Sequence, residues 1–292
     1  MTETQPRSGC GIEEHGGLVG DRALVRVAEK DIIKDTGFSN YQPALSTLPF
    51  LIINGFKRLR NLPRIPLLPS LQRRPPRVFC PPCEKIPPSN DPIIDVRSKD
   101  VTVSSETPIV STRIFIPKIT NPNQKFPLLF YVHGGGFFML SVFAKQYQDF
   151  CTTVSAQANV VVMSVEPKPW LNNHVDFGRV FIGGDSAGGN ISHTLAFWFG
   201  SIGLSGLNLD GLILMHPYFS RTEDDQMWLY MCPMNIDRLE DPWLKPPARD
   251  LARLGCERVL VFVAEKDHLN VVGKNYYEEL KRNGWQGSVE IV

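Results

Sequence analysis

No long apolar run, no excess of charge of either sign and no framework of paired cysteines marks this chain of 292 residues. Thirty-one Lys and Arg against 30 Asp and Glu leave a net charge of +1. That balance argues against nucleic acid or an anionic membrane surface as the partner. The longest apolar run near the amino end, Leu48 to Ile53, is far shorter than the roughly 20 residues that cross a bilayer. Glu3, Glu13 and Glu14 interrupt any signal-like stretch, so a cytoplasmic protein with reduced thiols is expected. The six cysteines are scattered, at 10, 80, 83, 151, 232 and 256. Cys80-Pro-Pro-Cys83 has the spacing of a metal or redox pair, but no second pair stands at zinc spacing. It reads as a plain loop, and no metal is expected. Asn190-Ile191-Ser192 fits a glycosylation acceptor, yet it falls on a helix expected to be buried. No internal repeat is present.

The chain divides by texture. Residues 1–78 read as an irregular, basic and proline-rich extension. Between Tyr41 and Phe79 stand Lys57, Arg58, Arg60, Arg64, Arg73, Arg74 and Arg77 without one acid, and no helix or strand period is sustained. Residues 79–292 form the regular domain. Apolar, β-branched runs at 111–116, 127–132, 159–165, 179–182, 211–215, 258–263 and 288–292 predict strands. Helices are predicted at 144–158, 187–200, 248–254 and 271–283. This alternation implies an α/β fold, a mostly parallel sheet with helices on both faces.

Two glycine motifs carry the chemistry. "FIGGDSAGGN" places Gly184-Asp185-Ser186-Ala187-Gly188 between a predicted strand and a helix striped by Ile191, Leu195, Trp198 and Phe199. G-x-S-x-G at such a junction is a nucleophile elbow: the turn is so sharp that glycines flank the serine, whose oxygen stands up at the sheet's carboxyl edge. "LLFYVHGGGFF" runs a buried strand into His133-Gly134-Gly135-Gly136. Consecutive glycines let backbone N–H groups approach a developing oxyanion. A third strand, "RVLVFVAEKD", ends at Asp267, where an acid could orient a histidine. Glu265 is its rival; Asp267 is preferred because it lies past the strand end.

With these motifs the chain resembles the plant carboxylesterases of the hormone-sensitive-lipase-like, GDXG group of α/β-hydrolases. "HGGGF", "GDSAGGN", "MHPYF", "VFVAEKD" and "YYEELKRNGW" occur in the expected order. The resemblance spans Pro81 to Val292. It implies hydrolysis of small-molecule carboxylic esters without a cofactor, with Ser186 as nucleophile and Asp267 as triad acid. Gly135, Gly136 and Ala187 would form the oxyanion hole, while His133 and Gly134 order the glycine loop. Some relatives are dehydratases, and one branch, the gibberellin receptors, binds a hormone without catalysis. That branch supplies the alternative reading, a non-catalytic small-molecule binder.

Three departures from the family pattern shape the expectations. The family's triad histidine follows the acid after one more helix and strand; here only His268 follows Asp267, so an inactive chain is one expectation. His216 and His268 are the substitute bases considered. Adjacent residues of an extended loop point apart, which counts against His268. His193 lies two helical turns below Ser186, roughly 10 Å along the axis, and is out of reach; His15 and His174 have no claim. Next, the link Glu166–Gly178 has thirteen residues, with Pro167 and Pro169 leaving room for only a short helix from Trp170 onward. A crossover between parallel strands takes about a dozen or more, so the fold is expected to be incomplete, with one sheet face partly bare. Last, the amino-terminal stretch lacks the family's usual lead-in. Together these suggest a truncated or alternatively spliced form. Met227–Met234, "MWLYMCPM", could line the site or pack the core.

Overall fold

The computed structural model describes residues 84–104, 110–137, 139–164, 174–203, 206–219, 225–231 and 237–292. The basic extension at 1–78, Cys80-Pro-Pro-Cys83 and the segment 165–173 lie outside the described residues. Among those described, one nine-stranded sheet runs in the order β1-β2-β3-β5-β4-β6-β7-β8-β9. Its strands are β1 (Asn90–Asp91), β2 (Val96–Ser104), β3 (Val110–Ile116), β4 (Phe126–Val132), β5 (Val161–Ser164), β6 (Val175–Asp185), β7 (Leu209–Met215), β8 (Arg258–Phe262) and β9 (Ser288–Ile291). β1 to β3 pair antiparallel, as do β3 and β5; from β5 onward every pair is parallel.

β1 and β2 carry no signal among the predicted strands. β2 reads Val-Arg-Ser-Lys-Asp-Val-Thr-Val-Ser, too charged for the apolar-run criterion, because it lies near the sheet edge. The charge has structural use. Arg113 of β3 is buried and forks onto Asp100 of β2, Nε to Oδ1 at 2.6 Å and Nη2 to Oδ2 at 2.8 Å. Its Nη1 donates to Gln148 Oε1 at 2.8 Å. A buried guanidinium is tolerated only when its donors are satisfied in this way.

Five α-helices are described: α1 (Lys145–Ala158), α2 (Ala187–Ile202), α3 (Gln226–Met231), α4 (Ala248–Leu251) and α5 (Asn270–Arg282). The alternation of strand side chains sorts them by face. Leu129, Tyr131 and Val162 pack with Tyr147, Cys151 and Val154 of α1. Leu128, Phe130, Ile182, Leu212 and Val261 point the other way, toward Ile191 and Leu195 of α2, Leu251 of α4 and Tyr276 of α5. Fully burying each such side chain contributes about 1.5–3 kcal/mol.

Two expectations about the short connection need correction. Val175 to Gly178 belong to β6 rather than to a linking helix, and Val175 pairs with Phe126 of β4. Nor is the α2-side face bare there: Ile114, Leu128, Val161 and Met163 all show 0% exposure. The early start of β6 extends its ladder with β4 back to Phe126.

Candidate active site

Ser186 stands between β6 and α2 with φ 52° and ψ −118°. A side-chain-bearing residue enters that region at a cost of order 1–3 kcal/mol, and only when its surroundings over-determine it. Here they do. Its N–H donates to Met215 O (2.9 Å), and its carbonyl accepts from Asn190 N (3.2 Å) and Tyr218 N (3.0 Å). The flanking glycines are required by contact: a Cβ on Gly184 would lie 2.5 Å from Val132 O, and one on Gly188 only 2.0 Å from it. The end of β4 is thus pressed against the elbow.

β4 and β6 are neighbours in register, Val132 opposite Gly184, so the loop His133–Gly136 meets the elbow at the sheet's carboxyl edge. Gly135 (φ 103°) and Gly136 (φ 59°) take backbone angles that favour glycine. His133 Nδ1 is 2.8 Å from Gly134 O, and its ring lies against Tyr147. Phe137, next in the chain, packs edge-on to Tyr218 and Trp228. Trp228 is 1% exposed and belongs to the main core, which answers in favour of packing for that part of "MWLYMCPM"; residues 232–234 lie outside the described ones.

Asp267 follows β8 in a turn closed by its N–H to Ala264 O (3.0 Å) and by Leu269 N–H to Oδ1 (2.8 Å). Glu265 is exposed. Two imidazoles flank the Asp267 carboxylate: His216 Nδ1 at 3.4 Å from Oδ2 and His268 Nδ1 at 3.1 Å from Oδ1. The second contact shows that His268 meets Asp267; the expectation was that it could not easily do so while also reaching Ser186. The segment is a turn leading into α5, not an extended loop, so neighbouring side chains converge. His268 is nonetheless 75% exposed, against 37% for His216. His216 follows β7, the strand between nucleophile and acid, and its φ is 44°. Its N–H donates to Phe262 O at 2.9 Å. Ala264 N–H approaches the same Nδ1 at 3.3 Å.

Asp185, Tyr131 and Tyr147 were not nominated by the motif reading, although Asp185 lies inside the motif. Its Oδ1 accepts from Tyr131 Oη–H (2.7 Å) and Gly134 N–H (2.8 Å), and Oδ2 from Tyr147 Oη–H (3.2 Å). Burial first, and the Asp185 charge second, push both tyrosines well above the ordinary phenol range, so they stay protonated donors.

His193 lies apart, buried, its Nδ1 2.9 Å from Tyr276 Oη, and burial lowers its pKa to about 3. Below pH 6.5 the unfolded chain takes up a proton there that the folded chain refuses until about pH 3. Stability is therefore lost as pH falls through that window, by about 2 kcal/mol at pH 5 from this group. Urea unfolding at pH 8 and pH 5 is expected to show that loss, and His193→Gln to flatten it. Asn190 is fully buried on α2 and donates to Tyr218 O and Trp243 O, so it is no glycosylation acceptor.

Sequence comparison adds relatives to this geometry. Residues 166–292 match the family model described as the alpha/beta hydrolase fold. The Arabidopsis thaliana protein named "Probable carboxylesterase 2" is 36% identical over 252 residues, 72% of this chain and 79% of that one. The chain belongs to the plant carboxylesterase family of α/β-hydrolases. By family it is a carboxylic ester hydrolase. The 2-hydroxyisoflavanone dehydratase of Glycyrrhiza echinata is 34% identical over 260 residues, covering 70% of this chain and 79% of that one. Among solved structures, the hyperthermophilic esterase from the archaeon Pyrobaculum calidifontis shares the fold, with a TM-score of 0.54 at 19% identity over 92% of this chain and 87% of that one. Among the described residues no helix is long and apolar enough to cross a membrane.

Proposed function

We propose that this chain hydrolyses carboxylic esters of small molecules, with Ser186 as nucleophile, His216 as its base and Asp267 as the acid that orients His216. The N–H groups of Gly135, Gly136 and Ala187 receive the oxyanion, and His133 with Gly134 holds the loop in place. What carries the reading is the order of three neighbouring parallel strands. The strained Ser186 follows β6, His216 follows β7, and the carboxylate 3.4 Å from His216 follows β8.

Two groups compete for His216 Nδ1. When Nδ1 carries the proton it donates to Asp267, and Nε2 is left as an acceptor, the form a base needs. Ser186 Oγ then gives its proton to Nε2 as the Oγ–C bond forms. The imidazolium returns that proton to the departing alkoxide, leaving an acyl-serine. Water repeats the sequence, its proton passing through His216, and the carboxylic acid leaves. His216 is preferred to His268 because it lies on the strand beside the elbow and is the less exposed. A serine hydrolysis of this kind needs no metal or cofactor. The buried free thiols Cys151 and Cys256, their pKa values pushed up by burial, suit a reducing cytoplasm.

Purified chain is expected to turn over p-nitrophenyl acetate, and a fluorophosphonate to stop it while adding mass to the peptide that carries Ser186. A folded chain that neither turns over nor takes up the label would overturn hydrolysis and leave the ligand-binding alternative.

A further inference from the structure

We infer that Asp185, the residue before the proposed nucleophile, is a positioning residue whose carboxylate sets the place of the glycine loop relative to Ser186. The inference rests on the hydrolytic reading above and adds a residue to it. Three donors from two separate pieces of chain meet on this one side chain. Tyr131 comes from β4, Gly134 from the loop that follows it, and Tyr147 from α1. Gly134 packs so closely that a Cβ there would lie 2.3 Å from Asp185 Oδ2. The peptide N–H that Asp185 grips immediately precedes Gly135, the first proposed oxyanion donor. Ser186 immediately follows Asp185. One residue thus ties nucleophile and oxyanion loop to a common origin.

A carboxylate at this place has a cost. Its negative field opposes a developing oxyanion, and the effect is strong where water is excluded. Three donors on its two oxygens draw that charge back. Were the field the main consequence of Asp185, removing the charge would speed the reaction. If positioning dominates, removing the acceptor slows it, because displacing a reacting group by about 1 Å can cost on the order of 10²-fold.

Asp185→Asn separates these outcomes. Its shape is nearly unchanged, but one oxygen becomes an NH₂ that cannot accept from Gly134 or a tyrosine. The expected result is a kcat for p-nitrophenyl acetate lower by about 10²-fold, KM nearly unchanged, and affinity for a trifluoromethyl ketone falling in parallel with kcat. A residue needed only for stability would lower the melting temperature and leave kcat per folded molecule intact, which would overturn the inference, as would a faster variant. Hydrogen exchange of the peptide covering residues 133–140 is a second readout, independent of turnover. It should accelerate in Asp185→Asn; unchanged exchange overturns the inference even if the wild-type chain proves to have no serine-dependent activity. Should Asp185→Asn fail to fold, Tyr147→Phe removes one donor and keeps both Oδ1 contacts. It is expected to lower kcat by about 2- to 10-fold, and a kcat equal to wild type counts against the role.

Discussion

Ser186→Ala is expected to lower the rate of p-nitrophenyl acetate hydrolysis by on the order of 10⁴-fold or more, and His216→Ala to lower it nearly to the same floor. The two act as a unit. Without the imidazole the serine keeps its proton and is a poor nucleophile; without the serine the imidazole has nothing to activate. The double variant should therefore be no slower than either single one. What remains comes from the glycine loop and binding alone. Asp267→Asn should cost less than either, since it spoils the tautomer of His216 but removes no reacting atom. His268→Ala is expected to stay close to wild type, its ring being 75% exposed. Steady-state kinetics of these variants on chains matched by circular dichroism decide the assignment. If His268→Ala is the damaging change and His216→Ala is silent, the base has been placed on the wrong side of Asp267.

Gly188→Ala is expected to have the largest effect on stability. The new methyl would sit 2.0 Å from Val132 O and 2.8 Å from His133 O, both backbone atoms. No rotamer can relieve that overlap; β4 and α2 must move apart. Ordinary overpacking of a core costs about 1–3 kcal/mol, and a clash against backbone on both sides should exceed it, at roughly 4 kcal/mol. Against a typical total of about 5–15 kcal/mol, that loss brings the chain close to unfolding at room temperature. Urea titration of wild type and variant measures it. A difference below 1 kcal/mol would mean that the elbow is not held as tightly as Val132 and Gly188 imply. Gly203→Ala separates backbone strain from contact: an added Cβ there has nothing within 4 Å, but φ 67° with ψ 138° suits glycine alone, so a loss of about 1–3 kcal/mol from strain is expected.

Several elements could be read directly from residue order because their signals are local. β4 and β8 are buried on both faces and β7 is buried on one and half-buried on the other, and their apolar runs announce it whatever surrounds them. The elbow is legible for a similar reason: G-x-S-x-G after a strand and before an apolar-striped helix specifies a turn that few other residues can make. β2 escaped because its partner for charge, Arg113, stands on another strand, and Asp100 looks solvent-bound until β2 pairs with β3. Val175–Gly178 escaped because Asp176 and Gly178 are poor strand formers, and only pairing with β4 draws them into the sheet.

By itself the amino-acid sequence determined the class of fold, the family, the nucleophile candidate and the loop beside it, since each depends on residues close together in the chain. Tertiary structure alone brought a distant imidazole, His216, to Asp267 beside the adjacent His268. His216 and Asp267 are 51 residues apart, and they meet only because β7 and β8 pair with Met215 opposite Phe262. It alone also gave Asp185 a role, because that carboxylate's three donors come from β4, its loop and α1, and no local pattern records where separate strands and helices converge.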